Sequence, residues 1–393
     1  MGWPRVLVAG GSIGGLTAAV LLRDLGCEVD VYERSHAALE DRGAGIVVLP
    51  VTERYFTQRG GEDDRVSLEL TYWSYVDRAG VVLSADPDHF RFSGWSTIYR
   101  ALLDEFGPER YHLGHEMTGF DSRLDGVTLH LADRSSIEGD LLVCADGLGS
   151  TARSILMPEV VPEYAGYVAW RGTTPEAGLS ERARADLSDS MIYQVLDPGH
   201  ILVYAIPDHG GRSTSPHRVI NFVWYRNYPT GGPFEDLMVG RDGISRAGTM
   251  PPGTIRPEHL TEMRASAAEV LAPTLLEVVE GCAEPLIQAV FDLESPRMAF
   301  GRVCLIGDAA IGLRPHVAAG QAKACADGWA LRDALAAADG DVPLALAAWE
   351  PGQLDLGHRA LARTREMGQA SQFDRTMTPG DPAWKFGLWE PGN

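Results

Sequence analysis

Three short stretches hold residues whose types and spacing could do chemistry. Gly10-Gly11-Ser12-Ile13-Gly14-Gly15 follows an apolar run, Arg5–Ala9, and precedes a helical pattern over 16–25. Residues 28–32 then read as a second strand ending at Glu33. This is a βαβ unit with a glycine-rich first turn and an acid about 20 positions later. Such a unit sets a pyrophosphate at a helix N-terminus and a carboxylate on ribose hydroxyls. Gly10 permits the tight turn and Gly15 the close helix–strand approach. Ser12 stands where a middle glycine is usual, and its hydroxyl could donate to phosphate. The second stretch is a strand over 141–145 running into Asp146-Gly147 and a helix with Arg153 in its first turns. Asp146 could cap that helix, and Arg153 could reach an anion. The third is an apolar run, 303–306, cut by Gly307-Asp308. Pro315 and His316 follow, and then Ala318-Ala319-Gly320 opens a helix over 321–335. A strand there delivers one carboxylate, and a helix start with free N–H groups faces the same space. That pairing suits a polyol and an electron-rich oxygen or nitrogen, as in half of a flavin cradle.

The elements between these stretches must position them. Residues 43–48 form a small-residue turn entering a strand, and 69–76 with 81–84 form a hairpin. Residues 96–106 read as a helix with a Ser96 hydroxyl cap and Arg100 in its first turns, where it could reach a flavin or substrate. Runs 191–196, 200–206 and 218–225 are rich in β-branched and aromatic residues and predict one antiparallel sheet inserted between halves of a nucleotide domain. Tyr204, Phe222, Trp224 and Tyr225 could wall an apolar pocket, although strand alternation lets only half of them face it. His200 begins the strand that carries Tyr204. His200, His316, Tyr204 and Tyr225 are therefore the candidate polar catalytic groups. Helices return over 257–280 and 344–367, and an aromatic tail, 379–388, packs on the body.

Bulk properties bound the function. A chain of 393 residues suits two or three lobes, and its 45% hydrophobic and 22% charged content is that of a globular protein. A net charge of -20 argues against binding nucleic acid or anionic membranes. Five scattered cysteines, never in a Cys-x-x-Cys pair, fit free thiols in a reducing compartment and no metal site. No signal-like or membrane-spanning run is evident, so a cytoplasmic location is expected.

The three motifs in this order resemble the class A flavoprotein aromatic hydroxylases of the para-hydroxybenzoate hydroxylase fold. Within that family the chain resembles the 2,6-dihydroxypyridine 3-hydroxylases. The likeness covers nearly the whole chain. It rests on Gly10 to Ile13, Tyr164 to Val168 with Trp170-Arg171-Gly172, Arg314-Pro315-His316 with Ala318-Ala319-Gly320, and the Pro379-Gly380 to Leu388 tail. It implies an α/β fold: a Rossmann-like FAD-binding domain with an inserted antiparallel β-sheet substrate domain and a C-terminal helical segment. The expected division is 1–72, 91–164 and 297–393 for FAD, and 73–90 with 165–296 for substrate.

By resemblance, Gly10, Ser12, Gly15 and Glu33 hold the ADP half of FAD, with Ile13, Arg34 and Arg100 beside them. Asp308 takes the ribityl and pyrophosphate region. Pro315, Ala318, Ala319 and Gly320 line the isoalloxazine, and Asp146, Gly147 and Arg153 belong to a motif linked to both FAD and NAD(P)H. Ala318 and Ala322 depart from the glycines common there, which puts a methyl near the ring. The implied reaction uses NAD(P)H and O2 to hydroxylate an electron-rich hydroxylated aromatic or N-heteroaromatic ring through a flavin C4a-hydroperoxide. A base near a ring hydroxyl would help. Other oxygenations of a natural-product intermediate (decarboxylative hydroxylation, N-oxidation, epoxidation) and a non-catalytic FAD-binding protein remain alternatives. The expected partners are a small aromatic substrate, NAD(P)H and O2, and a homodimer is compatible with the resemblance.

Overall fold

A computed structural model describes residues 2–39, 44–59, 66–208 and 210–392. Gly43 and its neighbour Arg42, at the start of one expected turn, lie outside them. The βαβ unit forms as its pattern demands: β1 (Arg5–Ala9), α1 (Ile13–Leu25) and β2 (Glu28–Glu33). Val6 to Ala9 are buried on both faces of the sheet, which a continuous apolar run predicts for a parallel strand. Gly26 adopts φ 109° at the end of α1 and stops the helix.

Two of the three sheets among the described residues position the site; the third is a small one of three strands, Met117–Ser122, Val127–Leu131 and Ser136–Gly139. The first runs in the order Ala299–Phe300, Val303–Leu305, Leu141–Cys144, β1, β2, Tyr111–Leu113, and all its pairings but the first are parallel. Register places Ala9 opposite Cys144, and Cys144 opposite Leu305. Three strands therefore end level, and the three motif turns leave from one sheet edge. One face carries α1 and the Gly320–Ala337 helix, which meet through small residues. A Cβ on Gly14 would lie 2.8 Å from the Ala324 Cβ, and one on Gly328 would lie 3.3 Å from the Ala18 Cα.

The second sheet is larger and largely antiparallel. Its central strands are Leu286–Glu294, Glu163–Pro175, Val219–Asn227, His200–Ile206 and Ser190–Val195. It continues through Leu68–Val76 and Val82–Gly94 to Gly45–Val48. It thus reaches further than the expected segment 73–90, because the hairpin strands pair along their full length and recruit 45–48 at the edge. One face is covered by the helices Pro257–Val270 and Pro273–Gly281; the other faces the first sheet's motif edge. Glu176 and Arg218, both buried, form a two-pronged ion pair inside this layer, with Arg218 Nε 3.0 Å from Glu176 Oε2. Among the described residues no helix is long and apolar enough to cross a membrane, and all five cysteines are buried and unpaired.

One expected cap, Ser96, is corrected, and another, Asp146, is shared with Ser150. The Trp95–Phe106 helix starts on Gly94, so Ser96 lies inside it. Ser150, one residue before the Thr151–Leu156 helix, caps that helix by accepting from the Arg153 N–H, while Asp146 accepts from Thr151 N–H at 2.8 Å.

Gly15 is where the first motif is least forgiving. A Cβ there would stand 1.9 Å from the Gly10 carbonyl oxygen, so α1 would have to back away from the turn. Gly15→Ala is expected to cost at least the ~3 kcal/mol at the top of the overpacking range. The urea midpoint of the apoprotein measures this, and an unchanged midpoint would contradict the close approach.

Candidate active site

The motif edge and the free face of the large sheet enclose a two-lobed cleft. The small lobe is about 240 Å³ and the large lobe about 360 Å³. Ser12, Trp95, Ala145 and Gly147 line both lobes, so they adjoin at the first and second motif turns.

The small lobe is polar. Glu33 is buried there; its carboxylate accepts from Gly11 N–H at 2.9 Å and from Ser35 N–H at 2.9 Å. Those bonds fix the turn and the carboxylate together. Asp146 contributes an oxygen, Oδ1, that is buried without a partner, and burial raises its carboxyl above the usual range. Gly10, Ser12 and the exposed Arg34 line the same lobe, with Tyr32 and His115 at its wall. Gly10 adopts φ 103°, and a Cβ on it would lie 2.3 Å from the Ala145 carbonyl oxygen. Two helix starts face the cleft uncapped by side chains: α1 after Ser12 and the Gly320–Ala337 helix after Ala319. Their first N–H groups are free for an electron-rich ligand.

At the third turn Asp308 lines the large lobe and is exposed to the open cleft, while the protein crowds its carboxyl from behind. Desolvation pushes its carboxyl up, opposed by Lys323 and reinforced by Asp327. Gly307 beside it is clamped on both sides. Its N–H donates to Asp327 Oδ2 at 2.8 Å, and its carbonyl faces Lys323 Nζ at 3.4 Å. Lys323 and Asp327 are fully buried and pair at 2.9 Å. Ala318 takes the left-handed conformation, φ 56°, which glycine would hold without strain. Ala318 lines the large lobe.

The large lobe is aromatic. Alternation divides the expected aromatics: Tyr204 and Tyr225 line it, and Phe222 and Trp224 take the opposite face. His200 and His316 both line it, with ring centroids 5.3 Å apart, and Tyr225 lies within 4.7 Å of each. His200 Nδ1 is 2.5 Å from Ser371 Oγ, and His316 Nε2 is 2.6 Å from Tyr167 Oη. The remaining nitrogens, His200 Nε2 and His316 Nδ1, are buried without a protein partner. Desolvation holds both imidazoles neutral; His316 is lowered to about 3, with the Arg314 charge adding to the effect. Burial raises the phenols, Tyr204 to about 12. Arg171 and Asp308 are the only formal charges among the described lining residues.

The sequence-predicted residues thus largely converge on one cleft. Gly10, Ser12, Ile13, Glu33, Arg34, Asp146, Asp308, Pro315, Ala318 and Gly320 line it, with Gly15 and Ala319 packed directly behind. Arg100 sits one turn inside the helix whose first residue, Trp95, lines both lobes, and its Nε lies 3.4 Å from Ser96 O. Arg153 corrects the expectation of an anion contact. It is buried, with nitrogens on the carbonyls of Leu148, Val160 and Ala309, so it ties the second turn to the third. Sequence reasoning missed Arg171, whose Nη2 donates to Gly45 O at 2.7 Å and whose Nη1 donates to Gln288 Oε1 at 3.0 Å. Strand alternation with Tyr204 and Tyr225 gave no sign of it, since it lies on another strand. It also missed Gln321, whose amide atoms are both buried and unpartnered, and Phe386 of the tail. Phe386 closes the large lobe, its ring 4.5 Å from Trp73.

The residues fit FAD. A long cleft has glycine turns a Cβ would fill, two uncapped helix starts, an orphaned Asp146 oxygen for a hydroxyl donor and an orphaned Gln321 amide beside the aromatic lobe.

Comparisons with known proteins agree. Residues 164–292 match a family model described as FAD binding domain-like. The chain is 36% identical over 98% of its length to 2,6-dihydroxypyridine 3-monooxygenase of Paenarthrobacter nicotinovorans, covering 96% of that protein. The crystal structure of 2,6-dihydroxypyridine-3-hydroxylase from Arthrobacter nicotinovorans superposes with a TM-score of 0.93 at 35% identity, covering 99% of this chain and 98% of that one. A 6-hydroxynicotinate 3-monooxygenase of Bordetella bronchiseptica is 28% identical over 83% of this chain and 81% of its own.

Neutral burial of the two histidines makes stability pH-dependent. Their folded pKa values lie below the unfolded ~6.5, so the unfolded chain binds more protons in acid. Stability from this source is complete above about pH 6.5 and falls as pH drops, by up to ~1.4 kcal/mol per histidine per unit. Unfolding free energies from urea melts between pH 7.5 and 5 should therefore decline less steeply, by up to ~1.4 kcal/mol per pH unit, in His316→Asn or His200→Asn than in the parent. Identical slopes in all three proteins would exclude neutral burial.

Proposed function

The chain belongs to the class A flavoprotein hydroxylases, and from that premise we propose that it hydroxylates a small, electron-rich, hydroxylated N-heteroaromatic ring of the 2,6-dihydroxypyridine kind, using FAD, NAD(P)H and O2. The observation that carries the reading is the large lobe itself: an aromatic box with two neutral imidazoles, each with one unpartnered nitrogen, beside the Pro315–Gly320 loop. A flat ring bearing hydroxyl or carbonyl groups matches that wall.

FAD, when bound, supplies the redox chemistry by which two electrons from NAD(P)H and one dioxygen convert a ring C–H to C–OH and release water. The protein's own groups do the rest. Gly10, Ser12, Ile13, Glu33, Arg34 and Asp146 would hold the ADP half, with Arg100 near the junction. Asp308 would take polyol hydroxyls, and the N–H groups at Gly320 would face the flavin's pyrimidine edge. On this reading the parallel layer with the C-terminal helices is the FAD-binding part, and the large sheet is the substrate part. Tyr193, Tyr204, Tyr225 and Phe386 exclude water around the ring. His200, neutral and with Nε2 free, would draw the proton from a ring hydroxyl, which pushes electron density into the ring. A natural-product substrate or a purely cofactor-binding role has no observation of its own in favour.

Two measurements test this. Adding 2,6-dihydroxypyridine to the FAD-loaded enzyme should speed NAD(P)H oxidation by about tenfold or more, a barrier change of ~1.4 kcal/mol, and yield a product heavier by one oxygen atom. Oxidation without an oxygenated product would sink the reading. Asp308→Ala should weaken FAD binding by about tenfold or more in a fluorescence titration of the apoprotein.

A further inference from the structure

The two histidines are not equivalent, and the network behind His316 decides its role. Asp292 grips Arg314 with both oxygens, at 2.8 Å from Nε and 2.7 Å from Nη2. Arg365 Nε also reaches Asp292, at 3.2 Å. The third guanidinium nitrogen, Arg314 Nη1, is buried and engages neither oxygen of Asp292. It converges with the Tyr167 hydroxyl and His316 Nε2 over Gly368: a Cβ on Gly368 would lie 2.7, 2.6 and 3.1 Å from the three atoms. Only a residue without a side chain leaves room for that meeting.

The direction of donation follows from what each group can do. A guanidinium only donates. The Tyr167 hydroxyl is buried, and burial holds its proton on. Arg314 acts on that oxygen through both its charge and hydrogen bonding, so a lone pair faces the guanidinium and the proton has His316 Nε2 as acceptor at 2.6 Å. A neutral imidazole that accepts at Nε2 carries its proton at Nδ1. His316 Nδ1 is the nitrogen that is buried and unmet at the large lobe.

We infer that the chain Asp292–Arg314–Tyr167–His316 locks His316 as the Nδ1–H tautomer, so that it is a fixed hydrogen-bond donor to a ring oxygen of the substrate and not a base. This rests on the hydroxylase reading and sharpens it: proton acceptance is left to His200, whose Nδ1–H the Ser371 hydroxyl can accept, and the ligand is one with a carbonyl-type or anionic ring oxygen. Tyr167 and Arg314 are positioning residues. The titratable and charged groups facing His316 are Tyr167, Tyr225, His200 and Arg314, with Asp292 and Arg365 behind Arg314. A carbonyl oxygen of FAD has the same acceptor chemistry, and the experiment separates the two sources.

The test uses the FAD-loaded enzyme and 2,6-dihydroxypyridine, with dissociation constants from the perturbed flavin absorbance. His316→Ala should weaken substrate binding by about 30-fold, and His316→Asn, which keeps an N–H near Nδ1, by only a few fold. Neither should remove a limb from the pH profile of kcat, whereas His200→Asn should. Tyr167→Phe, the mildest change, should raise KM by about tenfold and add an acid limb to the profile, because His316 then loses its enforced tautomer. A merely structural Tyr167 would shift the melting temperature and leave that profile alone. Loss of the same limb in His316→Asn and His316→Ala would make His316 a base and overturn the inference. Weakened FAD binding with unchanged substrate binding would assign the acceptor to FAD and overturn it too. Failure of the parent enzyme to bind 2,6-dihydroxypyridine would instead count against the functional reading.

Discussion

Parallel hydrogen bonding among three strands is the constraint from which the site follows. β1, Leu141–Cys144 and Val303–Leu305 pair in a register that ends them level. The turns that follow within two residues or fewer, at Gly10, Asp146 and Gly307-Asp308, therefore share one end of the sheet although they are far apart in the chain. Ligands of parallel sheets gather at such edges because the strand ends leave unpaired backbone groups and helix starts facing outward. Arg153 reinforces the arrangement by holding carbonyls of the second and third turns. The Lys323–Asp327 pair holds both polar groups of Gly307. A buried ion pair gains little net stability over a well-packed apolar pair. Its effect here is geometric: it fixes the peptide on which Asp308 is carried.

The second sheet answers a different need. Its strands present one face to helices and the other to the cleft, so alternate residues build a wall. His200 and Tyr204 on one strand and Tyr225 on the next share the cleft face for this reason. The tail completes the wall from outside the sheet. Phe386 packs on Trp73, Gly387 N–H donates to Val317 O at 3.0 Å, and Lys385 pairs with Asp88 at 2.6 Å. One segment thus bridges the hairpin and the loop over 315–320. Burial on this scale strips water from the imidazoles and phenols. They stay uncharged, and hydrogen-bond direction, not charge, decides what each can do.

What the sequence determined by itself was local. Glycines at fixed offsets, apolar runs of strand length and helical periodicity located the three turns and the strands and helices that flank them to within about three residues. Strand alternation correctly allowed only half of the four aromatics to face one pocket. Those signals suffice because a tight turn or a strand face depends on neighbouring residues alone.

The tertiary structure decided the partners. Tyr167 meets His316 across 149 positions, and His200 meets Ser371 across 171. No spacing in the chain marks those pairs, so the two histidines look alike in sequence and differ in the fold. Arg153 looked like an anion ligand because its offset from Asp146 was right; packing turned it inward onto carbonyls. Arg171, Gln321 and Phe386 reach the cleft from three separate elements. Their exposure to it is fixed by how the two sheets, the Gly320–Ala337 helix and the tail close on one another. A side chain's chemistry is written in its own residue, but its protonation state and direction depend on what excludes water around it, and only the packed structure supplies that.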